Sequence, residues 1–341
     1  MDIKELINNF KFSIFFTIIC LILAFLWGNF IGLYVAIILG ILEVSLSFDN
    51  AVVNATVLKR MDEYWQKMFL TVGILIAVFG MRLTFPLVIV SIASHINPID
   101  VVNMALNNPS EYAMHLKEAH PLISAFGGAF LLMVFLKYFL NEEKDTHWIG
   151  LIEKPLAKLG KLESIEIVIA LFILLLALKI VPSSEQLTVL ISGILGIIVY
   201  VLVDSIGEYM QEKEQEMVNS AIKGGLILFL YLELLDASFS FDGVIGAFAI
   251  TRDIILIALG LGIGAMFVRS LTVYLVKKGT LDEYIYLEHG AMYAIGTLAM
   301  LMFIGIRYHI PEYITGSIGA LLIGLALVSS IIYNKKNMEI A

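Results

Sequence analysis

"EVSLSFDN" occupies residues 43–50 and "DASFSFDG" residues 236–243. Each is an acid followed by two alternating serines, a phenylalanine and an aspartate. Each also sits in an apolar run: "FIGLYVAIILGIL" (30–42) precedes the first and "GVIGAFAI" (243–250) closes the second. A carboxylate is expensive to keep in such surroundings. A pattern written twice, 193 positions apart, is therefore read as two halves of one site that face each other across a membrane and hold a cation between them.

Composition sets the environment. Of 341 residues 60% are hydrophobic and 15% charged, with a mean hydropathy of +0.91. A soluble domain carries about 25% charged residues, so the chain reads as all-α, a polytopic helical membrane protein. The net charge of −8 is spread over short loops of mixed sign and names no basic partner. No clustered basic face suggests nucleic acid. The single cysteine, Cys20, excludes an intrachain disulfide and a thiolate metal cluster. "MDIKELINNFKF" (1–12) lacks a basic n-region and a cleavage site and reads as retained sequence.

A spanning helix needs roughly 20 mainly apolar residues. About ten such segments are expected, at 12–27, 30–58, 68–93, 121–140, 164–181, 187–206, 222–250, 253–276, 289–308 and 312–333, with a tight link at Gly28–Asn29. Of the 22 Lys and Arg, sixteen fall on one side of this map, four on the other, and two (Arg82 and Arg269) within helices. That bias predicts cytoplasmic termini in a multi-pass protein of the cell (plasma or inner) membrane.

The motif helices are followed in the same order by further matches. "MRLTFPLV" (81–88) answers "VRSLTVYLV" (268–276), and "AHPLISAFGGAFLLM" (119–133) answers "EHGAMYAIGTLAMLM" (288–302). Duplication into two membrane repeats follows: 1–181 with core helices 30–58, 68–93 and 121–140, and 182–341 with core helices 222–250, 253–276 and 289–308. Five helices per half would insert the halves upside down relative to one another, as in many transporters with inverted repeats and three-helix cores. His120 and His289 align at helix starts and read as solvated interfacial residues.

An ionised Asp or Arg at the centre of a span costs about 2.5–3.5 kcal/mol. Glu43, Asp49, Asp236, Asp242, Arg82 and Arg269 must therefore be paired, neutralised or hydrated. Fully ionised they sum to −2, a deficit that one divalent cation or two protons would cancel. Glu43, Ser47, Asn50 and Asn54 draw one polar stripe along a helix, and Ser45, Asp49 and Thr56 a second. A local break near "SLSFDN" would turn both inward. In the second copy Asn50 becomes Gly243 and Asn54 becomes Ala247, so the site should be asymmetric, with Ser238 and Ser240 as its serines. The expected metal set is Glu43, Asp49, Asn50, Asp236 and Asp242, supported by Ser45, Ser47, Asn54, Ser238, Ser240, Arg82 and Arg269. These hard oxygens suit Mg, Ca or Mn better than copper or zinc.

At "EVSLSFDNAVVNATVL" (43–58) and "DASFSFDGVIGAFAIT" (236–251) the sequence resembles the TerC family of integral membrane proteins, within the wider LysE-like transporter group. The resemblance implies an inverted repeat, the paired motif acids as an ion site, and manganese efflux or tellurite resistance as the setting.

The expected function is a transporter exporting a divalent cation, with manganese favoured over calcium and protons as the coupling ion. A membrane scaffold for stress-response partners would not need buried charges. An intramembrane aspartyl hydrolase would carry Y-D and G-x-G-D around its acids, and "GxGD" is absent. No Walker A motif or cofactor motif is present, so neither direct ATP drive nor enzymatic activity is expected.

Overall fold

The computed structural model describes residues 3–338 apart from 77–79, 81, 83, 143, 145, 215–219, 252 and 309. Within that range the side chains of Ser45, Asp49, Ser238, Ser240 and Asp242 are not among those described.

The chain starts with α1 (Ile3–Leu46), whose helical path is broken at Gly28 (φ −123°, ψ 16°) and Asn29 (φ 53°, ψ −146°). Asparagine tolerates positive φ better than other side chains, and here it turns the chain back on itself. A Cβ on Gly32 would overlap the Ala24 carbonyl, although residues eight apart in a straight helix lie about 12 Å from each other. The Phe25 and Phe30 rings meet edge to face at 5.2 Å. The tight link read at Gly28–Asn29 is this turn.

After an interruption at Ser47 (φ −103°, ψ 17°) comes α2 (Phe48–Leu58). This is the break expected near "SLSFDN". The next helix, α3 (Glu63–Leu75), is capped by Asp62, which accepts from the Trp65 N–H at 2.9 Å. Beyond it Ile76, Gly80, Arg82 and Thr84 have π-helical geometry, which often marks functional positions. Next are α4 (Phe85–Ser94) and α5 (Pro98–Asn107), bent 115° from one another. Within the single helix expected over 68–93, α-helical geometry thus gives way to π-helical geometry at the described positions Ile76, Gly80, Arg82 and Thr84.

The long α6 (Pro109–Phe139) begins 12 residues before the expected start at 121. Residues 109–120 are too polar to read as a span, yet Tyr112, Leu116 and Ala119 bury one helical face there. Pro121 lies inside the helix. The polar stretch after it holds the short amphipathic α7 (Gly150–Leu159). Then come α8 (Ile165–Ala177), α9 (Gln186–Glu214), α10 (Ser220–Ile250), α11 (Ile254–Lys277), α12 (Thr280–Glu283), α13 (Leu287–Gly305) and α14 (Glu312–Met338).

By length and composition six of the described helices can cross a membrane, or seven if the bent α4–α5 pair is one span. The chain is a multi-pass membrane protein. Two differences account for part of the distance from about ten spans. The helix read at 164–181 is only 13 residues long, about 20 Å at 1.5 Å per residue. Phe10–Val44 counts once among the six, although the reversal at Gly28–Asn29 divides it into two arms.

Helix α11 organises the first motif. The first arm of α1 runs antiparallel to it, with Trp27 Nε1 donating to Asp253 Oδ2 at 2.8 Å and Ser13 Oγ to the Met266 carbonyl at 2.9 Å. The second arm runs parallel to it, with Gly32 against Leu256 and Gly40 against Ile263. Helix α6 is held between α9 and α13 over a core that includes Phe69, Phe130, Phe139 and Phe303. α10, bearing the second motif, packs on α9, α6 and α11.

Candidate functional site

Glu43 ends the second arm of α1, one turn before the Ser47 interruption. Ser47 Oγ donates to Glu43 Oε1 at 3.0 Å, and Arg82 Nη2 donates to the same oxygen. Arg82 Nη1 lies 4.0 Å from Asp236 Oδ2 on α10. Arg269 Nη2 of α11 lies 4.0 Å from that oxygen and donates to Glu233 Oε1 at 3.3 Å. Arg269 Nη1 donates to the Phe69 carbonyl at 2.6 Å, with its guanidinium 4.1 Å from the Phe69 ring centre. Acid and base therefore alternate, Glu43–Arg82–Asp236–Arg269–Glu233. None of the five is more than 6% exposed.

Close backbone approach makes the network possible. A Cβ at Gly264 on α11 would overlap the Glu43 Cβ and lie 2.5 Å from its Cγ. One at Gly73 on α3 would lie 2.5 Å from Arg269 Nη1 and 2.7 Å from Glu233 Oε1. Gly243, the second-motif partner of Asn50, would place a Cβ 3.0 Å from Glu43 Oε2, so the two motifs meet at this carboxylate. Gly264→Ala is expected to cost about 1–3 kcal/mol, the usual range for overpacking, because Glu43 Cβ is fixed to its helix. Gly243→Ala meets only the free end of a side chain and should cost less. Thermal unfolding of the two purified variants checks the order.

The structure thus brings together Glu43, Arg82, Asp236 and Arg269, and the arginines act as counter-charges. Ser47 joins them through Glu43. Asn50 and Asn54 are buried in α2. Ser45, Asp49, Ser238, Ser240 and Asp242 lie outside the described side chains. Among the described residues no group of three His, Cys, Asp or Glu side chains is placed to hold a metal by itself. Among the described residues four buried side-chain oxygens have no hydrogen-bond partner: Thr17 Oγ1, Asn54 Oδ1, Glu233 Oε2 and Asp236 Oδ2.

Glu233 is absent from the expected site. It lies three residues before Asp236 in "YLELLD" (231–236), on the same helical face. When the two motif sequences are aligned it falls opposite Gly40, so a comparison of paired motifs passes over it. The signal that could have found it is an acid inside an apolar run.

A second buried polar cluster ties α7 to the bundle. Glu153, 1% exposed, accepts from Lys144 Nζ (3.1 Å), the Ile149 N–H (3.0 Å), the Trp148 N–H (3.3 Å) and Tyr293 Oη (3.3 Å). His289 Nε2 is 3.4 Å from Glu153 Oε2 and 2.9 Å from the Thr146 carbonyl, and its Nδ1 is 3.2 Å from Tyr138 Oη. At 3% exposure His289 is buried, not the solvated residue expected from its place at a helix start. Burial pushes the Glu153 carboxyl up, but the Ile149 N–H, Lys144 and His289 together outweigh it and leave its pKa below the ordinary value. Burial pushes the Lys144 ammonium down.

The fold and network define a multi-pass helical membrane protein with a charge-paired interior. The chain belongs to the family described as Protein of unknown function (DUF475), which matches residues 48–337. No curated protein and no solved structure matches the chain. The resemblance to TerC proteins is overturned by this match, and tellurite resistance goes with it. The S-F-D core was too short to carry the assignment. Acids and serines at helical spacing are what any buried ion pair on a membrane helix requires, whatever the family.

Proposed function

We propose that this protein is a transporter for a divalent cation bound by hard oxygen ligands, such as manganese or calcium, with protons as the coupling ion. The observation that carries the reading is Asp236. Its carboxylate is 6% exposed, stands 4.0 Å from both arginines, and leaves Oδ2 without a hydrogen bond. An acid inside a membrane segment is by default functional, and this one sits where the two halves of an ion-pair chain meet.

The cation would take oxygen from Asp236 and Glu43, with Asn50 and the motif aspartates Asp49 and Asp242 as further ligands. That donor chemistry suits hard cations. Arg82 and Arg269 would hold the carboxylates in place when no cation is bound, and release of a carboxylate from its guanidinium would accompany binding. Glu233 changes the charge sum. Five acids against two arginines leave three negative charges, which a divalent cation and one proton would balance together. Alternating access by rocking of two inverted repeats would carry the site from one face to the other. On this reading the chain makes and breaks no covalent bond, lies in the cell membrane and keeps both termini in the cytoplasm.

The test is manganese flux in proteoliposomes, with a pH-sensitive dye to follow counter-moving protons. Asp236→Asn and Glu43→Gln should each reduce flux on the order of 10–100-fold, as loss of a metal-site carboxylate or its support does elsewhere. Full flux in both variants would remove the network from the transport path.

A further inference from the structure

Helix α7 divides into three sectors. Glu153, Leu156 and Ala157 turn toward the bundle, and Glu153 is locked there by Lys144, Tyr293 and two backbone N–H groups. Lys154 and Lys158, one turn apart, form an exposed basic stripe. Leu151, Ile152 and Leu159 form the remaining stripe; Leu151 is 90% exposed, Ile152 48% and Leu159 43%. At 100° per residue the apolar and basic sectors adjoin on the side facing away from the protein.

The position of the helix says what covers that side. α7 follows the end of α6, a 31-residue helix apolar enough to span a membrane, and precedes the apolar α8. It is fastened beside the first turns of α13, another candidate span, through His289 and Tyr293. It therefore lies at one end of the bundle, where hydrocarbon gives way to headgroups. Arg60 is at the same end, paired with Glu288 at 3.5 Å next to His289. Lys161, just past α7, faces Glu142 at 3.9 Å, which leaves Lys154 and Lys158 as the stripe. An amphipathic helix with lysines beside an apolar face suits an interface lined by negative charge.

We propose that α7 is a binding surface for anionic phospholipid, with Lys154 and Lys158 taking the headgroup phosphates and Leu151, Ile152 and Leu159 entering the acyl boundary. The Glu153 lock orients the helix for this, since it fixes which sectors can reach the bilayer. Lipid composition would then act on the bundle through His289 and Tyr293. The inference does not depend on what the protein transports.

Two measurements on the full chain test it. In the first, reconstituted protein is titrated with spin-labelled phosphatidylglycerol and spin-labelled phosphatidylcholine at low salt. Wild type should select the anionic lipid, and Lys154→Gln with Lys158→Gln should lower that selectivity roughly 30-fold, from about 1 kcal/mol per lysine. In the second, Leu151→Cys carries a fluorophore, Cys20 being buried, in bilayers with brominated acyl chains. Quenching places the apolar stripe in the acyl boundary. Unchanged selectivity in the double variant overturns the proposal. So does an unquenched label, the result expected if the stripe faces water or is covered by a soluble protein.

Discussion

Arg82→Met should cost the protein about 3–5 kcal/mol, the range for breaking a buried ion pair by removing one partner. The guanidinium serves Glu43 through Nη2 and approaches Asp236 through Nη1. Without it Glu43 keeps only the Ser47 hydroxyl, and Asp236 only Arg269 at 4.0 Å. Two carboxylates would then lie in low dielectric with half of their compensation gone. Against a net stability of about 5–15 kcal/mol, that loss is large enough to impair assembly. Thermal unfolding in detergent, followed by circular dichroism and by elution as a monodisperse species, measures it. Glu43→Gln added to Arg82→Met removes one unpaired charge and should recover most of the loss. If the double variant unfolds as early as the single one, charge pairing is not what Arg82 contributes.

Glu153→Ala should release α7 from the bundle. The carboxylate gathers a lysine, a tyrosine hydroxyl and two backbone N–H groups and lies beside His289. Its removal leaves Lys144 Nζ, 4.1 Å from the Tyr138 ring centre and 4.5 Å from that of Phe139, without an anion. A local loss of about 3 kcal/mol or more is expected for a buried pair broken from one side. Hydrogen exchange across 141–160 should accelerate strongly, while exchange in α11 stays slow. The pH dependence has a definite sign. Because the folded Glu153 carboxyl is held below its ordinary value, its contribution is complete above the ordinary carboxylate range and is lost as pH falls through the lower folded value. α7 should therefore stay docked at neutral and mildly acidic pH and loosen only in strong acid. Loosening near neutrality in the wild-type protein would show that another group controls the dock.

Several features were readable without coordinates because they are local. Roughly twenty apolar residues in a row specify a membrane helix with no reference to neighbours. Gly28–Asn29 between two such runs could only be a turn or a kink. "SLSFDN" on two polar stripes called for an interruption, and Ser47 is where it falls. The arginines were legible as counter-charges, since a guanidinium inside a span has no low-energy alternative to a partner.

Other features depended on contacts between distant segments. Glu233 has no acidic counterpart where the two motif sequences align, since Gly40 stands opposite it, and only folding puts it against Arg269. His289 resembled an interfacial residue because only folding sets the Thr146 carbonyl and Glu153 of α7 against it. The start of α6 lay hidden in 109–120, where one buried face is enough to hold a helix that is polar on the other. The TerC resemblance shows the converse limit. A short motif records a helical spacing, whereas family membership rests on the match over residues 48–337.

By itself, then, the amino-acid sequence determined that this chain is helical, crosses a membrane several times and carries charges that cannot face lipid. All three follow from transfer free energies that each segment feels alone. Only the tertiary structure decided which acid meets which arginine, that Glu233 joins the network, and that α7 is tethered to the bundle through Glu153. The pairing within the network is set by close approach between helices far apart in the chain, at Gly73, Gly243 and Gly264, where a single added methyl group would change it; the tether is set by Tyr293 and His289 of α13 meeting Glu153.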